Sequence, residues 1–120
     1  MPIYTVLSQR EFSADMKSKV VTAITGLHCA ATGEPSSVVT VLFQAGYALK
    51  KGLKVMLLAS MSTGGNSSNN VKEQLKKGLL QDLALTLELP GEQLSIDYLT
   101  VDADWIWEGG RNSQEITNKR

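Results

Sequence analysis

PIYTVLSQREFSADMKSKVVTAITGLHCAATGEPSSVVTVLFQ, residues 2–44, changes its hydrophobic pattern twice, and those changes decide the fold. Pro2 to Leu7 is short, β-branched and aromatic, and the polar turn Ser8-Gln9-Arg10-Glu11 follows, which is the signature of a strand. Ser13 can then cap a helix, with Asp15 in its first turn where a negative charge complements the helix dipole. Met16, Val20, Ile24 and Leu27 continue at helical spacing, which predicts a helix from about Ser13 to Ala31. Gly33 and Pro35 end it, and the β-branched run from Val38 to Phe43 reads as a buried strand. The stretch is a βαβ unit.

The pattern recurs after the connector QAGYALKKG at 44–52. An apolar strand from Leu53 to Ser60 leads through the polar loop MSTGGNSSN into a helix predicted from Asn70 to Leu89. Asn70 as N-cap with Glu73 three residues on resembles a capping box, and Val71, Leu75, Leu79, Leu83 and Leu87 form an apolar stripe. Pro90 and Gly91 stop this helix. Laying Gly33-Glu34 over Gly91-Glu92 brings Val38 onto Ile96 and Thr40 onto Tyr98, while a one-residue slip brings Val20 and Ile24 onto Leu79 and Leu83. The expectation is an α+β fold of two consecutive βαβ units, 2–45 and 53–102, forming one domain over 1–112 with a flexible tail at 113–120. Four strands and two helices on one face leave the other face of the sheet without cover. Because the strands are apolar at nearly every position, as in Lys54-Val-Met-Leu-Leu-Ala59, a closed homo-oligomer is expected to bury that face.

One hundred and twenty residues, 42% of them hydrophobic, suit a single core. Twelve basic and twelve acidic side chains balance, so no overall field favours nucleic acid or an anionic membrane. Cys29 is the only cysteine and His28 the only histidine, which excludes an internal disulfide and a cysteine zinc site; no metal and no cofactor are expected. The purest apolar run, Val55 to Ala59, is too short to span a bilayer, and a soluble protein in the reducing cytoplasm is the default.

Two βαβ units beginning at Pro2 resemble the tautomerase superfamily, and residues 2–44 resemble the 4-oxalocrotonate tautomerase subunit in length and plan. Ser8-Gln9, Ala23-Ile24-Thr25 followed by His28, Thr32-Gly33, Leu42-Phe43-Gln44, VKEQL at 71–75 and EGGR at 108–111 look like the cis-3-chloroacrylic acid dehalogenase group. The resemblance implies a homotrimer of double units, a pocket between subunits and an acid-base group at the nitrogen of Pro2 once Met1 is removed. A prolyl nitrogen is then a secondary amine in a direction fixed by its ring, and burial lowers its pKa toward neutrality, where a base is most effective.

The same resemblance assigns further candidates. His28 matches a histidine that assists substrate binding, against the alternative of an ordinary helix-end histidine. Glu108 falls where a glutamate activates water, beside Trp105 and Trp107, or else is a solvated loop residue. Tyr98 lies near a catalytic tyrosine, with a one-residue ambiguity that would select Asp97, or is a packing residue. Arg111 is a candidate clamp for a substrate carboxylate, or a solubilising charge. Thr40 stands near where 4-oxalocrotonate tautomerases carry a strand arginine. The dehalogenases' paired arginines are replaced by Gly64-Gly65-Asn66-Ser67-Ser68-Asn69-Asn70, a loop whose backbone amides, with Ser67 or Asn69, could hold an anion or simply cap the helix. The expected function is keto-enol tautomerisation of a small carbonyl or unsaturated carboxylic acid. Water addition of the dehalogenase or hydratase kind, and a catalytically inactive trimeric binding protein, are the alternatives.

Overall fold

The computed structural model describes residues 2–50, 52–62, 69–101, 107–108 and 111–112. Strand β1 (Ile3–Ser8), helix α1 (Ala14–Thr32) and strand β2 (Thr40–Ala45) form the first unit; β3 (Val55–Ser62), α2 (Asn69–Leu87) and β4 (Leu94–Val101) form the second. A two-stranded ribbon follows, β5 (Trp107–Glu108) and β6 (Arg111–Asn112). The main sheet has the order β2-β1-β3-β4. Within each unit the strands are parallel, and β1 meets β3 antiparallel, so the two units stand back to back in opposite directions.

Local chemistry explains the helix ends. The Ser13 side chain accepts a hydrogen bond from the Met16 amide, and Gly33, at φ 76°, closes α1 by donating its N–H to the Cys29 carbonyl. Helix α2 ends at Leu87, with its apolar stripe, and not at the expected Leu89. Glu88 takes the left-handed conformation at φ 56°, with its N–H on the Leu85 carbonyl and the Leu89 N–H on the Ala84 carbonyl, the double bond of a Schellman ending. At the other end α2 already includes Asn69, so Asn70 lies in the first turn and is not the cap.

Two strands also differ from expectation: β3 runs from Val55 to Ser62 and not from Leu53 to Ser60, and β2 starts later and is less buried. Residues 36–38 form a 3-10 turn, so β2 begins at Thr40, and it is an edge strand with exposed Leu42 rather than a buried one. The duplication is real in plan but its register is displaced. Helix α2 begins 55 residues after α1 (69 against 14), and the second 3-10 turn, Gly91–Gln93, begins 55 after the first (91 against 36). Val20 therefore corresponds to Leu75 and Ile24 to Leu79, one helical turn away from the sequence overlay; Thr40 does not correspond to Tyr98. A stripe with period 3.6 looks the same after a shift of about four residues, which is why the overlay could slip.

Both helices lie on one face. Val20 and Ile24 of α1 and Leu75, Leu79 and Leu83 of α2 join Tyr4, Val6, Val55, Leu57, Ala59, Leu94 and Ile96 of the sheet in one buried cluster. The other face carries Ile3, Thr5, Met56 and Leu58, which are half-buried, and Leu42, which is 46% exposed. It is the side, largely apolar and left uncovered by the two helices, that the strand composition implied.

Candidate active site

Pro2 is buried immediately before β1. Its carbonyl accepts the Thr40 amide at 3.2 Å, and Ile3 pairs with Thr40 in the parallel ladder, so the chain brings Pro2 and Thr40 to the same end of the β1/β2 pair.

Strand alternation then decides which side chains share a face. Val41, Tyr4, Ala59 and Tyr98 form one row across the sheet, and the row faces the helices. The small Ala59 stands between two tyrosines. The pleat separates the two neighbours: Tyr98 points to the helix side, whereas Asp97 lies on the opposite face and is exposed. Among the described residues the buried Tyr98 hydroxyl has no hydrogen-bond partner. Burial, and after it the charge of Glu73, pushes the Tyr98 hydroxyl up to about 12.

Tyr4 was not singled out by the sequence, because an aromatic in a first strand reads as packing. Its hydroxyl lies 2.6 Å from His28 Nδ1, and the rings meet edge to face at 5.5 Å and 82°. His28 Nε2 lies 2.9 Å from a Glu34 carboxylate oxygen. A carboxylate only accepts, so Nε2–H donates to Glu34, and in the neutral imidazole Nδ1 accepts the Tyr4 O–H. Burial raises the Tyr4 hydroxyl far above the ordinary tyrosine range, and the Tyr98 and Glu34 charges push the same way. His28 is buried on the same stripe as Val20 and Ile24, and by the 55-residue offset it takes the place that Leu83 holds in the second unit. Both ring nitrogens are engaged within the chain, so the geometry makes His28 a link between Tyr4 and Glu34.

Glu108 and Arg111, read as loop residues, are register partners in the β5/β6 ribbon. The glycine-rich segment 63–68, Trp105 and the tail at 113–120 lie outside the described residues. Among the described residues there is no group of three or more histidine, cysteine or carboxylate side chains placed to hold a metal ion, and no helix is long and apolar enough to cross a membrane.

No protein-family model matches the chain, and no curated protein is similar to it in sequence. Solved structures are similar in fold. A fused 4-OT wild-type asymmetric trimer is 16% identical, with a TM-score of 0.81 over 95% of this chain and 98% of that one. A member of the cis-3-chloroacrylic acid dehalogenase family is 22% identical, with a TM-score of 0.76 over 92% of this chain and 82% of that one. A protein inactivated by 2-oxo-3-pentynoate is 16% identical, with a TM-score of 0.81 over 95% of this chain and 98% of that one. With its two antiparallel βαβ units, its mixed four-stranded sheet and these neighbours, the chain has the tautomerase-superfamily fold.

Proposed function

We propose that this protein is a tautomerase-like enzyme in which Pro2, freed by loss of Met1, is the acid-base group for keto-enol tautomerisation of a small carbonyl acid. The observation that carries the reading is the burial of Pro2 at the head of β1 in this fold, with its carbonyl pinned by Thr40. Ketonisation would run as follows. The enol oxygen gives up its proton, the electron pair re-forms the carbonyl, and the carbon–carbon π pair takes a proton from the prolinium nitrogen; the neutral amine then regains a proton from solvent. In the reverse direction the amine removes the proton alpha to the carbonyl.

The substrate reading, a small molecule with a carboxylate, rests on similarity to a protein inactivated by 2-oxo-3-pentynoate, itself an oxo acid. The assembly reading, a homotrimer, rests on the uncovered apolar sheet face and on similarity to a fused 4-OT trimer. Thr40 is the described candidate beside Pro2 for contact with the substrate. His28 acts through Tyr4 on the strand that carries Pro2. Hydration of an unsaturated acid is the second reading, supported by the pairing of Glu108, as water activator, with Arg111, as carboxylate clamp, in one ribbon.

The test is mass spectrometry of the native protein followed by treatment with 2-oxo-3-pentynoate. The expected result is loss of Met1 and one adduct on Pro2, as a nucleophilic amine adds to an ynone. Pro2→Ala should lower ketonisation of phenylpyruvate enol by roughly a hundredfold or more. Retained Met1, or an active Pro2→Ala variant, would overturn the reading. Turnover of an acetylenic acid without phenylpyruvate ketonisation would put hydration first.

A further inference from the structure

Because β1 and β3 run antiparallel with Ser8 opposite Val55, the end of β1 meets the beginning of β3. There the chain forms a cleft of about 440 Å³ at the opposite end of β1 from Pro2, about 20 Å away along the strand. Arg10 and Lys54 line it together with Phe12, Met16, Leu87 and Leu89. The arrangement combines an apolar wall with two cations. Lys17 and Lys19 on α1 are paired with Glu11 at 3.0 Å and Asp15 at 3.3 Å, whereas neither Arg10 nor Lys54 has a carboxylate partner among the described residues.

We propose that this cleft is a second binding site, separate from Pro2, for a small amphipathic carboxylate. The carboxylate lies between the Arg10 guanidinium, whose planar fork takes both oxygens, and the Lys54 ammonium. The hydrocarbon part lies along Phe12, Met16, Leu87 and Leu89, leaving water as these side chains do. Charge sets the orientation and the apolar wall selects for chain length.

The experiment is an amide NMR titration of the full-length protein with octanoate, with acetate and 1-octanol as controls. The expected result is saturable shifts at Ser8, Arg10, Phe12, Met16, Val55 and Leu87, with acetate and 1-octanol each at least about tenfold weaker. Arg10→Gln with Lys54→Gln should weaken octanoate by about tenfold or more, since both cations are exposed and their removal leaves the fold intact. Pro2→Ala should leave octanoate binding unchanged, which separates this site from the tautomerase reading. Equal binding of 1-octanol, undiminished binding by the double variant, or shifts confined to Ile3 and Thr40 would each overturn the proposal. So would an absence of shifts, including one in which a second copy of the chain already covers these amides.

Discussion

Tyr4 and Tyr98 flank Ala59 in one row, and removing the hydroxyl from each should change stability in opposite directions. In Tyr4→Phe the ring and its edge contact with His28 stay, so the change isolates the 2.6 Å bond to Nδ1. A buried imidazole nitrogen is left without its partner, at a cost of about 1–3 kcal/mol. In Tyr98→Phe the lost hydroxyl is buried and unpartnered among the described residues, so its removal relieves a desolvation penalty and should stabilise by about 1 kcal/mol. Near 120 residues 1 kcal/mol corresponds to roughly 4 °C in Tm. Tyr4→Phe should therefore melt roughly 4–12 °C lower, and Tyr98→Phe a few degrees higher. Urea unfolding at fixed protein concentration, with the m value unchanged, measures both. A double variant Tyr4→Phe, His28→Leu adopts the apolar solution that Leu83 provides in the second unit, and should recover most of the loss, since both partners of the bond are gone. Equal destabilisation by the two single variants would refute the reasoning, because the Tyr98 hydroxyl would then have a partner. A neutral Tyr4→Phe would show that the Tyr4–His28 bond contributes nothing.

Three further outcomes are expected. Glu88→Gly should stabilise by about 0.5–1 kcal/mol in the same urea assay, since a left-handed backbone at φ 56° is strained for a residue with a Cβ. Stability should fall as pH rises from 10 toward about 12, because only the unfolded chain ionises Tyr98 in that window; below 10 both states hold the proton and the contribution is intact. Tyr4, raised further, adds a fall of the same sign, so unfolding midpoints of Tyr98→Phe measured across this range should decline about half as steeply. Leu42→Asp, at the exposed edge of the uncovered sheet face, should convert the proposed trimer to monomer in analytical ultracentrifugation; a trimer that persists would place the interface elsewhere.

Much of the architecture was legible because the relevant chemistry is local. Ser13 caps α1, Gly33 ends it, and the alternation between period 2 and period 3.6 marks two βαβ units. The end of α2 was less legible, since Glu88 is an unusual residue for a left-handed position and the leucine stripe runs up to it. The β5/β6 ribbon was missed because strands of two residues carry no period. In the site, the head position of Pro2 was plain, but the roles of its companions were not.

The order of residues by itself determined which elements form, where most of them begin and end, and that one face of the sheet is apolar yet uncovered by the chain's own helices. Only the tertiary structure decided the register between the two units, the placing of Tyr98 but not Asp97 on the helix side, and the clamping of His28 between Tyr4 and Glu34. It also brought Arg10 and Lys54 to one cleft. Periodicity and capping act over a few neighbouring residues and can be read along the chain. A hydrogen bond spanning 24 residues, or a slip of one helical turn that leaves the stripe unchanged, depends on which surfaces meet in space.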